Sequence, residues 1–182
     1  MKICSWNINS VRLRENLVLR LLKKHSPDII CLQECKALVA DIPIKSFSNI
    51  GYKYMIARGQ KSYNGVAILS RVPFKNEFAI DFASLNQARH IAGELENGII
   101  IHNFYVPAGG DEPDEGKNLK FAQKLKFLND MKNWFDLNQS KKAILVGDLN
   151  IAPYEDDVWD HKKMNKVVSH TPLEIDNLFE VM

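Results

Sequence analysis

Hydrophobic and polar positions mark out the elements of the chain. From Lys2 to Asn9, an extended backbone puts Ile3, Ser5, Asn7 and Asn9 on one face and Cys4, Trp6 and Ile8 on the other. That predicts a strand with an apolar face and a polar face ending in two amides. From Glu15 to Lys24, the pairs Leu17/Leu21 and Val18/Leu22, with Arg and Lys between them, predict an amphipathic helix. Ser26-Pro27-Asp28 ends it, and Ile29-Ile30-Cys31-Leu32 predicts a buried strand closing on Gln33-Glu34. The stretch to Gly51 is polar and irregular. A strand is expected from Tyr52 to Ala57, a loop from Gly59 to Gly65, and a further strand at Val66-Ala67-Ile68-Leu69. Arg89 to Leu95 and Ile99 to Phe104 predict an antiparallel pair about Glu96-Asn97-Gly98. Tyr105-Val106-Pro107 ends that pair, and Ala108 to Gly116 is a Gly/Asp/Pro loop. The longest helix is expected from Asn118 to Phe135, with Phe121, Leu125, Leu128, Met131 and Phe135 as its apolar stripe. After Lys141-Lys142, Ile144-Leu145-Val146 predicts a short buried strand that Gly147 breaks. Beyond Pro153 the pattern fades, and Tyr154 to Asn177 is polar and charged.

Near-continuous apolar strands interleaved with helices imply an α/β protein whose sheet is covered by helix on at least one face. The 182 residues suit one domain spanning 1–182, and 46% hydrophobic with 25% charged residues is ordinary for a globular chain. No apolar run reaches the length of a membrane span, and no signal-peptide pattern opens the chain, so no membrane partner is expected. Cys4, Cys31 and Cys35 form no CxxC pair and no zinc pattern. Cys4 and Cys31 sit inside apolar strands and are expected as buried thiols in a reducing cytoplasm. A net charge of +2 is compatible with a polyanionic partner without demanding one.

Several strands end on polar residues: Asn7, Glu34, Tyr105 and Asp148. If they share a sheet edge, they make a set suited to a metal-bound phosphate. Glu34 supplies a hard carboxylate for Mg²⁺, Asn7 a neutral amide beside it, and Tyr105 a phenol for a phosphate oxygen. Asp148 and Asn150 stand two apart, so an extended chain would aim both the same way. Each residue alone also has a plain structural reading, as a strand-end amide, a solvated carboxylate, a half-buried tyrosine or an Asx turn. Lys117, Lys120, Lys124 and Lys126 read as the solvated face of a helix. His161 and His170 read as surface residues, and Trp134 and Trp159 as packing residues.

Trp6-Asn7-Ile8-Asn9, Leu32-Gln33-Glu34-Cys35-Lys36, Asn64-Gly65-Val66-Ala67-Ile68-Leu69-Ser70, Asn103-Phe104-Tyr105-Val106-Pro107 and Gly147-Asp148-Leu149-Asn150-Ile151-Ala152-Pro153 together resemble bacterial exonuclease III, of the endonuclease/exonuclease/phosphatase superfamily. The tract from His161 to Pro172 extends the resemblance. It implies a four-layered α/β/β/α sandwich, its second sheet incomplete in this chain, with a Mg²⁺ site that Mn²⁺ could also fill. Asn7, Glu34, Asp148 and Asn150 are implied at the metal, and Tyr105, Asp148 and Asn150 in catalysis. Arg89, Lys162 and Lys163 are implied as DNA contacts. The implied substrate is double-stranded DNA, cut 5′ to abasic sites or trimmed at 3′ ends. Enzymes of this family run further and close on a Ser-Asp-His motif, which does not occur in this sequence. The expectation is therefore a truncated chain with little abasic-site incision. An inactive remnant or a phosphoesterase of the same superfamily are the alternatives.

Overall fold

In the computed structural model, which describes residues 1–139 and 142–182, the elements run β1 (Ile3–Asn7), α1 (Glu15–His25), β2 (Ile29–Gln33), α2 (Ile44–Ser48), β3 (Tyr54–Arg58), β4 (Val66–Ser70), β5 (Phe74–Phe78), β6 (His90–Leu95), β7 (Ile100–Tyr105), α3 (Leu119–Leu137), β8 (Ala143–Asp148), α4 (His161–Met164) and α5 (Pro172–Val181). Lys141, of the lysine pair, lies outside the described residues. The contacts sort into two units. The first holds residues 1–81 and 86–105 with β8. The second holds residues 82–85, the chain from 106 through α3, and residues 149–182.

The first unit is a mixed α/β structure built on two four-stranded sheets, ordered β1-β2-β4-β3 and β5-β6-β7-β8. Each contains one parallel pair, β1 with β2 and β7 with β8, and is otherwise antiparallel. The period of two sorts every strand between two environments. Ile29, Cys31, Ile56, Val66 and Ile68 of the first sheet meet Ile91, Leu95, Ile101, Ile144 and Val146 of the second, so the sheets lie face to face. The alternate positions Cys4, Trp6, Ile30, Leu32, Ala67 and Leu69 pack instead with Val18 and Leu22 of α1 and Phe47 of α2. Each fully buried Ile or Leu is worth about 1.5–3 kcal/mol of transfer free energy. The inter-sheet layer is not wholly apolar. Gln33 Nε2 donates to Asn103 Oδ1 at 2.6 Å, and Asn103 Nδ2 donates to the Leu32 and Ala67 carbonyls at 3.0 Å each, stapling β7 to β2 and β4.

Two features of this unit depart from the sequence reading. The strand β5 was not expected, because its middle residues are polar and exposed. It is an edge strand whose order comes from the ladder to β6 rather than from burial. Gly147 does not break its strand, since β8 runs through it to Asp148. Its φ of +148° favours glycine, and a Cβ there would stand 2.1 Å from the Phe104 carbonyl oxygen. The glycine permits close approach of β8 to β7.

In the second unit α3 starts at Asn118, whose side chain accepts from the Lys120 and Phe121 amides. It buries the expected Phe121, Leu125, Leu128 and Met131, with Phe127 added, and packs on α5 and on residues 82–84. α5 falls in the stretch read as patternless. Its signal is present in the sequence as Thr171-Pro172-Leu173-Glu174, a capping box with proline in the first turn. Three other expectations are corrected here. Lys124, read as part of a solvated face, is 0% exposed, held by an ion pair to α5. His170, read as a surface residue, is 1% exposed, its Nδ1 bonded to the Ala152 carbonyl at 2.6 Å. Trp159, read as a packing residue, is 74% exposed, with the Lys163 ammonium 4.8 Å from its ring centre. Among the described residues, no helix is long and apolar enough to cross a membrane. The three cysteines are free thiols, and burial raises the pKa of each.

Candidate active site

The polar cluster of the first unit forms where β1, β2, β7 and β8 end together. On β1, Cys4 and Trp6 face the helices, so Asn7 falls on the inter-sheet face with Ile3 and Ser5. On β7 and β8 the same alternation puts Tyr105 and Asp148 on that face. They are register partners across the parallel ladder. Glu34 reaches the cluster differently. Continued alternation after Gln33 would turn it towards the helices, but its φ of +50° redirects the chain. A left-handed backbone at a non-glycine residue costs about 1–2 kcal/mol, a strain typical of functional sites.

Asn7 is the hub. Its Nδ2 donates to Glu34 Oε1 at 2.9 Å and to Asp148 Oδ2 at 2.7 Å, joining carboxylates from the two sheets. Its Oδ1 accepts from the Asn9 amide at 3.1 Å, which sets the orientation of the side chain. Tyr105 Oη donates to Glu34 Oε1 at 2.8 Å, and Lys36 Nζ sits 2.8 Å from Glu34 Oε2. Partial burial works against the Glu34 carboxylate. Hydrogen bonds from Asn7, Lys36 and Tyr105 and the Lys36 charge outweigh it, holding Glu34 below the usual carboxylate pKa. Burial, then the bond to Glu34 and its charge, push the Tyr105 phenol far up. At neutral pH Glu34 is therefore an anion and Tyr105 a proton donor.

Arg89 lies with this group but is 7% exposed. Its guanidinium stacks 4.7 Å from the Tyr105 ring centre, Nη1 donates to the Tyr105 carbonyl and Nε to Gln87 Oε1. This geometry fits a brace for Tyr105 better than an exposed DNA contact. Asn150 belongs to the second unit. The extended conformation that would have aligned it with Asp148 ends at Asp148, because Asn150 has a φ of +52°. Its Nδ2 donates to the Val106 carbonyl at 2.8 Å. Lys162 and Lys163 lie on α4 and are exposed. Sequence reasoning passed over Lys36, Gln33 and Asn103. The signal for Gln33 and Asn103 was a polar residue at an inward position of an otherwise apolar strand.

Among the described residues, no three His, Cys, Asp or Glu side chains form a metal cage. The set is instead two carboxylates with an amide. That fits a hard cation such as Mg²⁺, which takes few protein ligands and keeps several waters.

The model of the Endonuclease/Exonuclease/phosphatase family matches residues 4–173. The chain belongs to this family. Its curated family relatives include exodeoxyribonuclease III of Haemophilus influenzae, 32% identical over 172 residues, covering 87% of this chain and 60% of the relative. The exodeoxyribonuclease of Bacillus subtilis is 31% identical over 170 residues, covering 89% of this chain and 63% of the relative. Among solved structures of the fold, the 3′ phosphatase NExo from Neisseria bound to a product DNA hairpin superposes with a TM-score of 0.90 at 29% identity, over 100% of this chain and 70% of that one. An AP endonuclease from Archaeoglobus fulgidus gives a TM-score of 0.89 at 30% identity, over 100% and 69%. This family member thus spans 60% and 63% of the length of those two curated relatives.

Proposed function

We propose that this chain carries the phosphodiester-cleaving machinery of a Mg²⁺-dependent DNA nuclease of exonuclease III type, acting on double-stranded DNA at abasic sites and 3′ ends. The observation that carries the reading is the Asn7-centred cluster, which gathers Glu34, Tyr105 and Asp148 at one edge of two sheets. Glu34, with Asn7 and Asp148, would hold Mg²⁺, or Mn²⁺ in its place. When bound, the ion would offset charge on the phosphate oxygens. Asp148, oriented by the Asn7 amide, takes the proton of the attacking water; as the new P–O bond forms, the P–O bond to the leaving 3′ oxygen breaks and that oxygen takes a proton from solvent. Tyr105, protonated and braced by Arg89, donates a hydrogen bond to charge building on the phosphate. Lys36 pairs with the Glu34 carboxylate and helps keep it ionised. Lys162 and Lys163, exposed on α4, attract the DNA backbone.

The test is incision of an abasic duplex and release of 3′-terminal nucleotides, with and without Mg²⁺, using Asp148→Ala as the comparison. With little abasic-site incision expected of this chain, whatever product forms should depend on Mg²⁺ and fall on the order of 10²- to 10⁴-fold in Asp148→Ala. Metal-independent product, or equal product in the variant, overturns the reading. In parallel, Mg²⁺ or Mn²⁺ should raise the melting temperature of the wild type and much less that of Glu34→Ala, because a ligand bound only by the native state stabilises it. An equal shift removes Glu34 from the metal site. A metal shift without product identifies the inactive alternative.

A further inference from the structure

A second polar cluster lies wholly within the second unit and ends on the backbone of Asn150. Lys124 on α3 and Glu174 on α5 are both fully buried, with Nζ and Oε1 2.5 Å apart. Lys124 Nζ also donates to the Asn150 carbonyl at 2.7 Å and, at 3.3 Å each, to the Ala108 carbonyl and Ser169 Oγ. Glu174 accepts from the Ser169 amide at 2.9 Å and from Thr171 Oγ1 at 2.7 Å. The Ser169 carbonyl then accepts from the Ala152 amide at 2.8 Å. One ion pair therefore ties together Ala108, residues 150–152 and residues 169–171.

General stability is a poor explanation for such a pair. Desolvating two charges offsets much of their attraction, and apolar residues replacing both partners are often neutral or stabilising. What apolar residues cannot supply is the charge-assisted bond to the Asn150 carbonyl or the acceptor for the Ser169 amide. Asn150 stands in the left-handed region, which asparagine enters more readily than other non-glycine residues, and the bond from Lys124 to its carbonyl fixes it there. We propose that Lys124 and Glu174 are positioning residues that fix the backbone from Asn150 to Ala152, the segment directly after Asp148. Their service to catalysis rests on the function proposed above. Neither residue is asked to touch substrate.

The decisive variant is the double replacement Lys124→Met/Glu174→Leu, which removes both charges and keeps most of the volume. Its urea unfolding midpoint should fall by less than that of a variant lacking only one partner, because no uncompensated charge stays buried. Exchange of the Ala152 amide should quicken at least about 10-fold relative to the β2 amides, as expected when local order is lost without global unfolding. In the incision assay kcat should fall about 10-fold or more with KM within about 2-fold, because misplacement slows the chemical step. Unchanged Ala152 exchange overturns the positioning role, and unchanged kcat overturns its bearing on catalysis. Should the double variant not fold, Glu174→Gln, which keeps the side-chain volume and one acceptor oxygen, carries the same two measurements. A wild type that cleaves no DNA defeats the functional reading alone, since Ala152 exchange still decides the positioning.

Discussion

Replacing Asn103 with leucine removes the polar staple between the two sheets while leaving little cavity. Asn103 accepts from Gln33 at 2.6 Å and donates to the Leu32 and Ala67 carbonyls at 3.0 Å each. All three partners are buried, so water does not replace what is lost. A neutral hydrogen bond contributes about 1 kcal/mol net, and stranding a buried partner costs about 1–3 kcal/mol. Gln33 keeps a bond to Ser5 Oγ at 3.1 Å, and a carbonyl in a ladder keeps other donors within reach, which favours the lower figure for each. The loss should therefore be about 3 kcal/mol. For a chain of this size that lowers the melting temperature by about 6–12 °C. Urea unfolding followed by circular dichroism measures it, within a cycle that includes Gln33→Leu and the double variant. The double variant should fall short of the sum of the singles by about 1 kcal/mol or more, because its second substitution removes a group already without its partner. Additive losses, or an Asn103→Leu loss below about 1 kcal/mol, would mean that the staple does not join the sheets energetically.

Two further outcomes follow from buried groups in the first unit. His90 Nδ1 accepts from the Ile80 amide, so the ring is neutral, with its proton on Nε2 facing His102 Nδ1 at 3.1 Å. Burial first, then His102 and Arg58, hold His90 well below the ordinary histidine value of 6.5. The unfolded chain binds this proton near that value and the native chain does not. The stability contribution is thus complete above pH 6.5 and lost as pH falls from there towards the native pKa, at up to about 1.4 kcal/mol per unit. Urea midpoints between pH 7 and 5 should show that slope, and His90→Phe should flatten it. An identical slope in the variant refutes the assignment. Gly147→Ala sets a Cβ 2.1 Å from the Phe104 carbonyl oxygen. It should unfold at much lower urea, by about 3 kcal/mol or more, or fail to fold. A midpoint within about 0.5 kcal/mol of wild type would mean that β8 shifts freely against β7.

Much of this protein is set by local pattern. Ile29 to Leu32, Val66 to Leu69 and the two stretches either side of Glu96-Asn97-Gly98 could only be buried strands, and the stripe from Phe121 to Met131 only a packed helix. That Asn7, Tyr105 and Asp148 end their strands as polar residues was legible for the same reason, since alternation along an apolar strand says which way its last side chain points. Whatever depends on a distant partner was not legible. Lys124 reads as a solvated lysine until Glu174, fifty residues on, is brought beside it, and only then is a buried charge tolerable. Glu34 joins the cluster through a left-handed backbone that no residue pattern announces. Gly147 looks like a strand breaker until Phe104 is seen to occupy the space its side chain would need. In strand β5, order arises from β6 and not from its own composition. The sequence by itself determined which segments are apolar on which face and which polar groups close the strands. Tertiary structure decided which charges could leave water and which backbone strain could be held, because both are set by neighbours remote along the chain.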